Sequence, residues 1–415
     1  MPAFTKLSAQ FPVHSAEAIT KKEVFMNFMK NTQSGCSFRK GKVRPVIALS
    51  IAMAFAACSS DTIESTAAEN EKLAMPLEST TPAFLKKGDK IALLSPSYTT
   101  PDSNIQKTAD VIREWGFEPV IGKNVDKLDA GKFAGTVEER ADDFIEALKD
   151  TSIKAILCNR GGYGTIQLVD LIDPKLIQEN PKWVIGYSDI TTLHAMQTKA
   201  GIASIHGTMS SSIAKTGGDE DNSKLLRDLL KGDVPVYKVP SHKYNQNGTA
   251  KGILVGGNMS TFVPLIGASD IDVFQNEGII LFMEEIGENL RNIDRMFHSI
   301  ELHGVMENVK GVILGEFVDS GTDLDYESTE AMLSKYLKKY DIPVMCGFPA
   351  GHDDVNLPIV MGTEVQMKVT DEGATLAFDI GGTRKEVDTE KLTPKEALSK
   401  SLLKMLAGKI FKIEE

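Results

Sequence analysis

The sequence predicts an α/β protein whose first half folds as a parallel, doubly wound sheet. Two observations carry this. Short β-prone runs alternate with helix-length amphipathic segments from Gly88 onward. The residues able to do chemistry collect just past the ends of those runs, where ligands of such sheets gather. Composition agrees: 415 residues, 42% hydrophobic and 25% charged, suit a soluble globular chain with room for two domains. A net charge of −11 and the lack of a basic, aromatic-rich stripe argue against a nucleic-acid partner.

Taken in order, residues 90–95 (Ile91, Ala92, Leu93, Leu94) read as a first strand. Residues 102–115 carry helical spacing at Ile105, Ala109 and Ile112, and a second strand follows at 117–121. Thr136-Val137-Glu138-Glu139 is a capping box opening a helix to residue 148. Strands follow at 154–158 and 184–186, then a helix runs from the Ser188 turn to residue 200. After a helix over 222–230, residues 234–239 begin a connection. The polar, turn-prone run 241–249 carries the domain boundary. The second region has strands at 278–283, 310–316 and 342–345, with helices at 290–302 and 329–339. A hairpin follows, 364–369 and 374–378, turning at Asp371-Glu372-Gly373. Thr393-Pro394-Lys395-Glu396 opens an amphipathic helix to about residue 411. The expected domains are therefore 83–240 and 241–385, with a helical extension over 386–415.

The N-terminus differs in kind. Arg39-Lys40-Gly41-Lys42-Val43-Arg44 is basic, and residues 46–57 form an apolar run of about a dozen, too short for the roughly 20 that span a bilayer. It ends Phe55-Ala56-Ala57-Cys58, which resembles a bacterial lipoprotein signal with Cys58 as the lipidated residue, although Phe55 replaces the usual aliphatic residue. The expectation is an export signal over 1–57, a flexible tether over 58–82, and a membrane-anchored lipoprotein facing the periplasm. Cleavage after Ala57 to give a soluble periplasmic protein is the alternative. Cys158 and Cys346 lie in apolar strand-like runs and read as buried free thiols.

Three segments carry chemistry. Trp183-Val184-Ile185-Gly186-Tyr187-Ser188-Asp189 runs from strand into helix, so Ser188 sits on a sharp turn beside free helical N–H groups. That suits a nucleophile, and equally an N-capping serine. Asn159-Arg160-Gly161-Gly162-Tyr163-Gly164 follows a strand directly, as an anion-binding loop or a tight turn would. Glu284 and Glu285 end an apolar strand and face opposite ways, and His352 lies in a loop beyond another. Together they supply Ser, Glu and His in that chain order, the logic of a nucleophile, an orienting carboxylate and a general base. No H-E-x-x-H or C-x-x-C spacing occurs, which speaks against a metallopeptidase.

Several ordered blocks resemble the LD-carboxypeptidase family of serine peptidases, the muramoyltetrapeptide carboxypeptidases. They are Arg160-Gly161-Gly162-Tyr163-Gly164, Gly186-Tyr187-Ser188-Asp189-Ile190-Thr191, His206-Gly207-Thr208-Met209 and Gly256-Gly257-Asn258-Met259-Ser260. Glu284-Glu285 with Ile293-Asp294-Arg295-Met296, and Gly351-His352 with Leu357-Pro358, complete the series over about residues 83–380. The resemblance implies a Rossmann- or flavodoxin-like N-terminal domain and a smaller, β-rich α/β C-terminal domain. It implies a triad of Ser188, Glu284 and His352, with the Gly162 and Asp189 N–H groups as oxyanion hole. The implied reaction releases D-alanine from a murein tetrapeptide across an L,D-bond, without a metal or other cofactor. Arg160 or Arg295 is expected to hold the terminal carboxylate, and Tyr163, His206 and Asn258 are further expected substrate contacts. A homodimer is also expected. Thr208 stands where the family usually has proline, and Glu285 where it usually has aspartate. Two competitors remain: the same triad acting on a peptide–nucleotide antibiotic, and a lipoprotein that binds wall peptides without cleaving them. A glutaminase-like role for Cys158 fits poorly, since it lacks an elbow glycine.

Overall fold

A computed structural model describes residues 79–392, apart from Ser269 and Thr322. Cys58 with the expected leader, and the helix expected over 393–411, lie outside the described residues.

Five strands of the first half run parallel: β1 (Lys90–Leu94), β2 (Glu118–Ile121), β3 (Ile153–Cys158), β4 (Trp183–Gly186) and β5 (Ser204–His206). The central strands are apolar and buried nearly throughout, as a sheet covered on both faces requires. Helix α1 (Asp102–Glu114) buries Ile105, Ala109 and Ile112, the residues whose spacing predicts it. Helix α2 (Val137–Lys149) opens with the expected capping box: Thr136 accepts from the Glu139 N–H, and the Glu139 carboxylate accepts from the Thr136 N–H. Helices α3 (Pro174–Glu179), α4 (Thr191–Lys199), α5 (Ser210–Thr216) and α6 (Asp221–Leu230) complete this half.

The second sheet is mixed and has eight strands. It uses β6 (Asp233–Pro240), β7 (Gly248–Asn258), β8 (Ile279–Ile286), β9 (Val309–Val318) and β10 (Val344–Met345). After β11 (Ile359–Met361) come β12 (Glu364–Thr370), β13 (Gly373–Phe378) and β14 (Thr383–Asp388). The order is β10-β9-β8-β7-β12-β13-β6-β14, with α7 (Met259–Phe262), α8 (Leu290–Leu302) and α9 (Thr329–Leu337) among its connections.

Three expectations change. Residues 234–239 are strand β6, not the start of a connection, so the second sheet begins at Asp233, ahead of the boundary expected at 240. Its Pro235 and Pro240 hide the strand from a pattern reading. The region beyond residue 385 is first of all strand: β14 pairs in parallel with β6 through Asp388. Finally, β8 runs to Ile286, so Glu284 and Glu285 lie within the strand and not past its end.

Strand β11 returns from the second half to the first sheet, where it pairs antiparallel with β5. Its neighbours tie the halves together: Tyr237 Oη donates to the Pro358 carbonyl at 2.6 Å, and the Gly362 N–H to Leu254 at 2.8 Å. Ile185 and Ile205 of the first sheet share one apolar core with Phe282 and Ile313 of the second.

Candidate active site

Ser188 stands where β4 turns into a single 3-10 turn (Ser188–Ile190) that leads into α4. Its φ of +65° is in the left-handed region, which residues other than glycine rarely occupy. Two glycines make room for this turn. A Cβ on Gly186 would meet Ile190 at 2.8 Å, and one on Gly161 would lie 3.0 Å from Ser188 Cβ and 3.3 Å from its Oγ.

Asp189 is buried and locks the turn in place. Its carboxylate accepts from the Ser97 hydroxyl and from the Thr165 N–H at 2.9 Å, and its carbonyl accepts from Thr165 Oγ1 at 2.5 Å. The loops after β1 and β3 are thereby fastened to the serine turn. Asn159 adds a second tie, donating to Ser95 Oγ at 2.9 Å and accepting from Ser210 Oγ at 2.7 Å. Gly162, at φ +117°, lies against the Tyr98 ring so closely that a Cβ would fall 2.3 Å from it. Among the described residues, neither the Gly162 nor the Asp189 N–H donates to a protein acceptor; the latter begins a helical segment, where such groups are free.

Opposite, His352 Nδ1 lies 2.7 Å from Glu284 Oε2. An ionised carboxylate only accepts, so in the neutral imidazole this contact selects the tautomer with the proton on Nδ1 and the free lone pair on Nε2. The Glu284 side chain is wholly buried and that of His352 is 11% exposed, so the pair is desolvated with one edge of the ring reaching the surface. Gly351 permits this approach: at φ +144°, its missing Cβ would sit 3.1 Å from Glu284 Oε2 and 3.2 Å from Glu316 Cβ. Glu285 points elsewhere, accepting from Asn258 Nδ2 at 2.8 Å and from the Ser260 and Ile286 N–H groups at 2.6 and 2.9 Å. Its burial pushes its carboxyl above the usual range.

Tyr187 joins the serine to the histidine. Its ring meets His352 edge-on, with centroids 5.0 Å apart, and rests on His206 at 6.0 Å, which in turn meets Phe282 at 5.1 Å.

The expected substrate contacts divide. Arg160 and Tyr163 are exposed on the loop beside Ser188. His206 is fully buried beneath Tyr187, and burial pushes its imidazole well below the usual value, so it packs under the site instead of touching substrate. Asn258 is committed inward, to Glu285, Ser260, Thr261 and Thr191. Arg295 is exposed on α8 and donates to Asn292 of the same helix. Cys158 and Cys346 are free and buried, and burial drives both thiols up, Cys346 to about 12. Neither is a nucleophile at neutral pH.

The sequence reading missed Tyr98 and Glu316. Tyr98 follows β1 at the carboxyl edge of the sheet, a position that carries its own signal. Glu316 lies near the end of β9, half-buried, and its place next to the His352 loop is visible only in three dimensions.

Models of the LD-carboxypeptidase N-terminal and C-terminal domains match residues 91–207 and 251–367. A putative carboxypeptidase of Synechocystis is 32% identical over 72% of this chain and 96% of its own length. The chain belongs to the LD-carboxypeptidase family. It is a serine-type carboxypeptidase, a hydrolase. A probable murein peptide carboxypeptidase of Bacillus subtilis is 29% identical over 71% of this chain and 93% of its own. The microcin C7 self-immunity protein of Escherichia coli is 26% identical over 74% and 97%. Among solved structures, muramoyltetrapeptide carboxypeptidase from Oxalobacter formigenes superposes with a TM-score of 0.65 at 25% identity, over 71% of this chain and all of that one.

Proposed function

We propose that this LD-carboxypeptidase hydrolyses the L,D-bond to the terminal D-alanine of murein tetrapeptides, with Ser188 as nucleophile, His352 as general base and Glu284 orienting it. The observation that carries the reading is the buried Glu284–His352 hydrogen bond, whose imidazole rests against Tyr187, the residue that leads into the strained turn at Ser188. Nε2 of His352 takes the hydroxyl proton as Oγ attacks the carbonyl carbon. The negative oxygen of the tetrahedral intermediate rests on the Gly162 and Asp189 N–H groups. His352 then delivers the proton to the departing amine, and water repeats the sequence on the acyl-enzyme. Arg160 is the cation for the terminal carboxylate, by bidentate pairing.

The test is D-alanine release from a murein tetrapeptide by the protein and by its Ser188→Ala variant. The expected loss is roughly a thousandfold or more. If the parent is inactive while a fluorophosphonate labels Ser188, the site is competent and the substrate differs. An aminoacyl nucleotide conjugate is then the next substrate to try, since the Escherichia coli relative is named for self-immunity to microcin C7.

We also propose that Cys58 carries a lipid anchor to the periplasmic membrane face, supported by the basic and apolar segments before it. Metabolic labelling with a fatty acid should mark the parent and spare Cys58→Ser. Equal labelling of both would remove the anchor from the account.

A further inference from the structure

The rim of the site beside Ser188 is aromatic and cationic, and the proposed reaction leaves half of it unused. Tyr98, Phe133 and Tyr163 form a continuous group, with ring centroids 5.6 Å apart for the first pair and 6.1 Å for the second. Tyr163 is half exposed. Two cations converge on the Tyr98 ring: Arg160 Cζ at 5.9 Å and Lys132 Nζ at 5.4 Å from its centroid. Neither Lys132 nor Arg160 has a carboxylate partner among the described residues.

This rim is built, not incidental. Tyr98 and Phe133 form a backbone bridge, the Thr99 N–H donates to Lys132 at 2.8 Å, and the Ala134 N–H donates to Ser97 at 3.1 Å. Behind it the buried Arg140 guanidinium lies 5.0 Å from the Phe133 ring and donates to the carbonyls of Pro96 and Gly164 at 2.8 and 3.0 Å. The rim also borders the nucleophile directly, since Gly161 touches Ser188 and Gly162 touches Tyr98.

Two exposed cations held at one aromatic ring, in a chain of net charge −11 and without a carboxylate partner for either among the described residues, form a local positive patch that favours an anionic ligand. The terminal carboxylate of an exopeptidase substrate occupies one of them, Arg160. We propose that Lys132, on its Tyr98–Phe133 platform, is a subsite for a second carboxylate, one borne by the acyl portion of the peptide. The aromatic faces cover the aliphatic stem of that residue while the ammonium pairs with its charge. The assignment rests on the reaction proposed above for its substrate, but its test is a binding measurement independent of turnover.

The probes are a tetrapeptide ending in D-alanine with one free carboxylate on its acyl portion, and the matching carboxamide. Both are titrated calorimetrically into the Ser188→Ala protein and into Ser188→Ala combined with Lys132→Met. The acid should bind roughly five- to tenfold more tightly than the amide, and the Lys132→Met change should bring the two within about twofold. Equal binding of acid and amide to Ser188→Ala, or a preference that survives Lys132→Met, overturns the subsite. Adenosine monophosphate is a third probe. If it binds more tightly than the acid peptide and is the ligand lost with Lys132→Met, a nucleotide phosphate replaces the peptide carboxylate and the proposal fails. D-alanine release is measured separately on the parent. Acid-selective binding without release would uphold the subsite while ending the proposed reaction.

Discussion

Glu316 is a carboxyl whose charge is strongly constrained by its surroundings. Burial, with Asp353 and Glu330 close by, pushes its carboxyl from 4.5 up to about 7. A raised acid holds its proton more tightly folded than unfolded, so its contribution to stability is full below about pH 4.5 and is lost as pH rises through about 7. Glu316→Gln should therefore leave stability near pH 5 almost unchanged and raise it by about 1–2 kcal/mol at pH 8. Urea unfolding at the two pH values checks this, and an equal change at both would place the effect elsewhere. At this scale the sequence was informative wherever chemistry and chain order coincide. Glu284 and His352, 68 residues apart in the chain and paired by their order in it, lie within hydrogen-bond distance. His206 and Asn258 are buried against protein groups, and a polar residue in a loop-like segment does not announce whether its partners are substrate or protein.

Elements with a local signature were legible, and those defined by distant partners were not. The capping box at Thr136 and Glu139 marks α2, and α8 (Leu290–Leu302) follows its apolar period to the residue. Strand β14 is charged and largely exposed, so only its pairing with β6 makes it a strand. Strands β5 and β11 are three residues each, below the length at which alternation means anything. The cap also makes a prediction at this scale. Thr136→Ala removes the acceptor of the Glu139 N–H and should cost about 1 kcal/mol by chemical denaturation. A change below about 0.3 kcal/mol would mean that packing of Phe144 and Leu148 alone carries the helix.

For the whole molecule, the parallel first sheet and a β-rich second half are legible in the sequence, but their interlock is not. With β11 paired to β5 and a shared core running through Ile205 and Phe282, the first sheet is complete only with a strand from the second half, and the two sheets bury their apolar faces together. The described region should melt in a single calorimetric transition, with van't Hoff and calorimetric enthalpies equal. Two resolved transitions would show the halves to be independent. The same crossing sets when the enzyme becomes able to act. A ribosome that has released β4 and α4 has already made the proposed nucleophile and its turn, but the chain still lacks the histidine and the edge strand just beyond it. On the proposed mechanism hydrolysis is thus a late property of a growing chain, and one truncated before His352 keeps its serine without the proposed base.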